Sequence, residues 1–233
     1  MRNVFYPLVM LCFCVGFVGT AAHTAEPERR ITVTGQGQVE AAPDMAILSL
    51  GVETKAPTAA GAMSQNSARM REIQKRLTDA GIEPRDIQTR QLSLYPEYTR
   101  PRNSNEAPKL VGYRASNQVQ VRARDLDGLG GVLDSLTKAG LNTLGGIQFA
   151  VQEPEPLIDA ARRDAVADAL AKAKLYTEGL GVKLGPVLRI DEHGQSPRPV
   201  AMARAEMALA SDVPISGGEV GYRASVTVVF GLE

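Results

Sequence analysis

Residues Glu155 to about Leu180 place Ile158, Ala161, Ala165, Ala169, Ala173, Tyr176 and Leu180 at three- and four-residue steps, the spacing of one face of an α-helix. That face is mostly alanine. An alanine adds a single methyl group, so this helix must lie close to whatever it covers, and no other part of the chain restricts its partner surface so strongly.

The rest of the pattern supplies the other layers. Ile31 to Val39 alternates apolar or β-branched residues with small polar ones, as a strand with one wet face does, and Met45 to Thr54 reads as a second strand after a turn at Ala42-Pro43-Asp44. The two together predict an opening hairpin. A helix follows from Thr58 to about Ala80, with Met63, Met70, Ile73 and Leu77 near one face and Gly81 at its end. Ile82 to Asp86 reads as a turn, Ile87 to Tyr98 and Leu110 to Ala123 as strands, and Thr99 to Pro108 as the loop between them. Asp125 is placed to cap a helix from about Leu126 to Ala139, closed by Gly140. Strands at Gly146 to Val151, Val187 to Asp191 and Tyr222 to Gly231 complete the set, and Glu192 to Glu219 reads as a long irregular excursion. About seven strands and three main helices, with some strands adjacent in sequence and others separated by helices, make an α+β fold with a mixed, largely antiparallel sheet. The order permits two lobes, about 31–123 and 124–233, although no sequence repeat relates them.

The first 25 residues stand outside this pattern. Arg2 is followed by an uncharged apolar run from Val4 to Val18 and a small, polar segment from Gly19 to Ala25, which is the form of a secretory signal peptide. Cleavage after Ala21, Ala22 or Ala25 fits, with His23 imperfect for the last of these. The run contains Pro7 and falls short of the roughly 20 residues that span a bilayer. Leu11 before Cys12 and Phe13 before Cys14 do not suit lipoprotein processing, and no later segment reads as a membrane span. Removing 25 of the 233 residues leaves 208 as one domain, residues 26–233, without either cysteine and so without a disulfide or thiolate ligand. Of 26 basic and 26 acidic residues only Arg2 leaves with that segment, and the near balance that remains argues against nucleic acid as a partner.

Chemistry is hard to find. His193, beside Asp191 and Glu192 at a strand end, is the one histidine certain to remain, and three consecutive side chains there do not converge on a metal. No GxSxG occurs. Gly35-x-Gly37 and Gly128-x-Gly130 lack the third glycine of a phosphate cradle; the first lies in a strand and the second in a helix start, where small residues permit close packing or a bulge. Asp159, Asp164 and Asp168 are interspersed with Arg162, Arg163 and Lys172, as on a solvated helix face, with Asp168 and Lys172 an ordinary surface pair. No catalytic, cofactor-binding or metal-ligating residue is assigned. Two segments suit an interface: Tyr95, Pro96, Tyr98, Arg100, Pro101 and Arg102, and Pro197 to Pro214 with Met202 and Met207.

Val33-Thr-Gly35-Gln-Gly37, Ala42-Pro43-Asp44-Met-Ala46, Gly112-Tyr113, and Ala161-x-x-Asp-Ala165-x-x-Asp168-Ala169-x-x-Lys172-Ala173 before Gly181 and Leu184-Gly185 resemble, in order and spacing, the SIMPL-domain family. The match runs from about Ile31 to the last strand. The resemblance implies a periplasmic or envelope location, a mixed α+β fold, self-assembly in at least some members and a role in tolerance of oxidative stress. It implies no catalytic residues and no cofactor. The leading expectation is a non-enzymatic homo-oligomeric envelope protein, with an envelope protein as a further candidate partner and membrane association at most peripheral. The competing readings are a periplasmic hydrolase using His193 and a scavenger whose Met202 and Met207 absorb oxidant before Met63 and Met70 do.

Overall fold

The computed structural model describes residues 29–99, 107–193, 200–202 and 215–233; the expected signal segment lies outside them. The described chain runs β1 (Arg30–Ala41), β2 (Met45–Ala56), α1 (Ala59–Asp79), β3 (Ile87–Tyr98), β4 (Leu110–Ala123), α2 (Leu129–Lys138), β5 (Thr143–Ala150), α3 (Glu155–Leu180), β6 (Leu184–Glu192), β7 (Val200–Met202) and β8 (Glu219–Leu232). A single 3-10 turn, Pro84–Asp86, precedes β3. This is the expected α+β order with one addition: the stretch read as irregular after Glu192 contains the short strand β7.

All pairings are antiparallel and form two sheets. In sheet I, β8 is central, with β1 on one side and β6 and β7 on the other; sheet II has the order β3-β4-β2-β5. The predicted opening hairpin is therefore absent. β1 pairs with β8 from Arg30↔Gly231 to Ala41↔Val220, while β2 pairs with β4 and β5. The Ala42-Pro43-Asp44 turn carries the chain between sheets instead of folding it back on itself. Sheet membership also does not divide the chain at Ala123, because β1 joins the late strands and β5 joins the early ones.

Each sheet is covered by helix on one face. Leu48, Leu50 and Val52 of β2 and Val119 and Val121 of β4 pack against Met70, Ile73 and Leu77 of α1 and Leu129, Leu133 and Leu136 of α2. Thr58 caps α1 by accepting from the Gly61 N–H at 3.1 Å. α2 starts at Leu129, three residues later than expected, because the Asp125 carboxylate accepts from the backbone of Asp127 and Gly128 and holds a turn there. Gly81 and Gly181, both at positive φ, end the turns after α1 and α3 as expected.

The alanine-faced α3 covers sheet I. Ala165, Ala169 and Ala173 pack on Val33, Val226, Val228 and Phe230. The close approach falls on Gly35 and Gly37: a methyl group built at Gly35 would stand 2.0 Å from the Ala165 carbonyl oxygen, and one at Gly37 2.0 Å from that of Ala161. The two glycines are thus the strand's share of the contact that the alanines require. One expectation about α3 fails at its end. Thr177 is buried, its hydroxyl donating to the Ala173 carbonyl, whereas Tyr176 and Leu180 are exposed. Four-residue steps continue through Thr177, which carries the covered face away from Tyr176.

The two sheets meet at a seam. Ile158 of α3 packs with Val220 and Tyr222 of β8, flanked by Phe149, Val151 and Leu157. The Asp44 N–H donates to the Ala150 carbonyl (3.1 Å), and its carboxylate accepts from the Gln152 N–H (2.8 Å). The Val151 N–H donates to the Tyr222 hydroxyl at 3.3 Å.

A Cβ at either strand glycine forces the helix off the sheet. Gly35→Ala and Gly37→Ala should each lower unfolding stability by about 2–3 kcal/mol in urea titrations, the upper range for overpacking. Gly131→Ala, at an exposed helical position with open space around it, should raise stability by about 0.5–1 kcal/mol.

Candidate functional site

A free sheet edge leaves backbone donors and acceptors unpaired and open to another strand. The edge of β1 is closed from within. The Gln36 N–H donates to Asp168 Oδ2 (2.8 Å), Lys172 Nζ donates to the Thr34 carbonyl (3.1 Å), and Asp168 and Lys172 bond each other at 2.7 Å. Lys172, and then the Gln36 N–H, hold the Asp168 carboxyl below its ordinary range. The pair expected as ordinary helix surface is thus a clamp on a strand edge.

Two other edges have no such closure among the described residues. β3 is exposed along nearly its whole length and presents Leu92, Leu94, Tyr95 and Tyr98, joined by Leu110 and Val111 of β4. Leu92, Leu94 and Pro96 stand opposite Asn117, Ala115 and Tyr113, on the sheet face that α1 covers further along. β6, the other edge, exposes Val187, Leu188 and Ile190, and α3 beside it exposes Leu175, Tyr176 and Leu180. Tyr95 and Tyr98, expected at an interface, therefore lie on an uncovered apolar edge. Arg100, Arg102 and Met207 lie outside the described residues; Met202 lies on β7, paired with Glu219, with nothing described of its side chain. The β6 edge was missed in the sequence, although Val187-Leu188-Arg-Ile190 carried a signal: three apolar residues in four do not alternate as a strand with one wet face should.

Several of the charged groups are engaged in structural pairs. On the open face of sheet II, Glu97 accepts from Lys55 (2.8 Å) and from Arg114 Nε (2.7 Å), with Glu53 3.6 Å from Arg114. Lys55, then Arg114, hold the Glu97 carboxyl below its usual range. Asp86, buried at the 3-10 turn, takes a two-pronged bond from Arg124, with both distances 3.0 Å, and this lowers its pKa against the opposing effect of burial.

His193 follows β6. Its Nε2 is 2.6 Å from the Thr227 hydroxyl, and that hydroxyl is 3.1 Å from the Thr34 hydroxyl. A hydrolytic histidine is normally oriented by a carboxylate. Here Asp191 bonds Arg189 and Glu192 bonds Arg162. Among the described residues no three His, Cys, Asp or Glu side chains form a metal-binding group. No helix among them is long and apolar enough to cross a membrane. Of the methionines, Met70 is buried and Met63 half-buried.

The molecule is thus an α+β protein of two antiparallel sheets, each backed by helix, with exposed apolar residues along the β3 and β6 edges and on the outer face of α3. The family model SIMPL, described as a protein of unknown function (DUF541), matches residues 31–230, and the chain belongs to that family. It is 40% identical to the 26 kDa periplasmic immunogenic protein of Brucella melitensis over 218 residues, covering 90% of this chain and 87% of that protein. It is 35% identical to the uncharacterised protein YggE of Edwardsiella ictaluri over 227 residues (94% of each chain), and 33% identical to YggE of Escherichia coli over 236 residues (98% and 94%).

The Asp86–Arg124 pair gives a pH signature. Its folded carboxyl titrates below the free value, so its stabilisation is fully present above about pH 4 and is lost as pH falls through the depressed folded value. Asp86→Asn should cost about 1–3 kcal/mol at pH 7, as lost charged hydrogen bonds do. In denaturation across pH, the gap to the wild-type chain should close under acid.

Proposed function

We propose that this chain is a non-enzymatic periplasmic protein that acts by assembling with copies of itself through the edges of β3 and β6. The carrying observation is the contrast between edges. One edge is clamped by Asp168 and Lys172, while two long edges are left open and apolar. A strand edge of that kind pairs with another strand unless something prevents it. The open edges differ in sequence and lie on different sheets, so β3 of one copy against β6 of the next is a head-to-tail contact, which closes into a ring or continues as a filament. The names of the Brucella relatives support the periplasmic location. A contribution to tolerance of oxidative stress, which the family resemblance implies, belongs to the same reading. An envelope protein seated on one of these edges is the other occupant it admits.

Gel filtration with light scattering on the mature protein should give a discrete mass several times that of one chain. Leu92→Glu alone and Ile190→Glu alone should each reduce it to the single-chain mass with little change in melting temperature. If only Leu92→Glu does so, the contact is β3 on β3; a strict monomer across a wide concentration range rejects self-assembly. For the stress role, a strain lacking the protein should survive oxidant less well and be rescued by the wild-type chain but not by Ile190→Glu.

A further inference from the structure

The partner strands of β8 part company on one side. β6 pairs with it as far as Glu192↔Val226, and β7 takes over at Val200↔Gly221. Tyr222 to Ser225 lie in the fork, where the described contact on that side is the His193 N–H donating to the Ser225 carbonyl at 3.0 Å. Beside the fork, on the face of sheet I turned away from α3, is an open cavity of about 650 Å³. That volume falls within the range that accommodates small molecules.

Register decides what lines it. Gly35 and Gly37 face α3, as do Ala224 and Val226, so Gln36 and Gln38 of β1 and Arg223 and Ser225 of β8 point the other way, paired as Gln36↔Ser225 and Gln38↔Arg223. His193 completes the lining. Arg223 Nε donates to Gln38 Oε1 (2.7 Å), and Gln38 in turn donates to Glu40 (2.9 Å), so the guanidinium is aimed by a neutral partner. Among the described residues Arg223 meets no carboxylate. Of the nearby acids, Asp191 pairs with Arg189, Glu192 with Arg162, and Asp168 with Lys172 on the helix side, while Glu40 stands at the far end of the Gln38 link and outside the cavity lining. The Thr227 hydroxyl fixes the His193 ring. The described lining holds no aromatic platform on which a neutral sugar could stack and no acidic group to hold a cation.

We propose that this cavity binds a small anionic solute through a carboxylate or phosphate group. Arg223 supplies the two-pronged charged donor, His193 a second donor, and Gln36 and Ser225 the neutral hydrogen bonds. The site lies past the end of β6, uses none of the exposed apolar residues of β3 or β6, and does not depend on assembly.

The chain contains two histidines, His23 and His193, so the His193 ring is a nearly isolated reporter. The ring resonances of the full mature protein would be followed by NMR while inorganic phosphate, citrate and sucrose are added separately at fixed pH and ionic strength. A saturating shift is expected with phosphate or citrate and none with sucrose; which anion saturates first identifies the headgroup. In Arg223→Gln the same shift should need at least about tenfold more anion, the effect of losing one charged hydrogen bond. Arg223→Lys, which keeps the charge without the fork, should fall between. Arg223 is exposed, so an otherwise unchanged spectrum will confirm that the variants fold. A shift linear in anion, an equal response to sucrose, or the same titration in Arg223→Gln and wild type would overturn the proposal.

Discussion

The seating of α3 on β1, with two glycines facing a row of alanines, is the contact on which the rest of the architecture depends. Bringing backbone that close excludes water and side chains alike, so van der Waals contact there is made mainly by main-chain atoms and methyl groups. It also fixes the helix laterally. Only with α3 this low over β1 do Asp168 and Lys172 reach the strand's outer donors and acceptors. One contact therefore both covers a face of sheet I and finishes one of its edges, which leaves β8 as the central strand with β6 and β7 on its far side.

Much of this was legible in the sequence because it is local. β3, β4 and α3 were read with their observed bounds, and the alanine face of α3 correctly implied a close-lying partner. What failed was non-local. A two-strand reading of β1 and β2 with a Pro-Asp turn is equally compatible with a hairpin and with a passage between sheets. The choice rests on Asp44 and Tyr222 meeting a chain more than a hundred and about seventy residues away, respectively. Asp168 and Lys172 failed for a related reason: an i,i+4 charge pair looks the same in sequence whether water or a strand edge lies beyond it. The tyrosines of β3 were legible as surface groups, and the structure leaves Tyr95 and Tyr98 exposed. The apolar edge of β6 was seen as a strand but not as exposed, because exposure is decided by what the fold leaves uncovered.

The polar chemistry of the molecule is distributed to match. Glu97, Asp86, Glu192, Asp191 and Asp168 are committed to Arg114, Arg124, Arg162, Arg189 and Lys172, and the first three of these pairs tie separate elements together. Arg223 is the contrasting case, a cation oriented by an amide rather than neutralised by an acid. Membership of the SIMPL family places this arrangement among proteins whose description names no reaction.

The pairing of β1 with β8 joins the first strand of the fold to its last. A chain that emerges N-terminus first, from a ribosome or through a translocation channel, can build sheet II as soon as β5 is out, but β1 must wait until residue 232 has followed. Loop-closure entropy must be met before so distant a contact rewards it, which favours late formation of this pairing. Until then the apolar face of β1 stays uncovered, so the same pairing that completes the native protein keeps the nascent one open for as long as its synthesis takes.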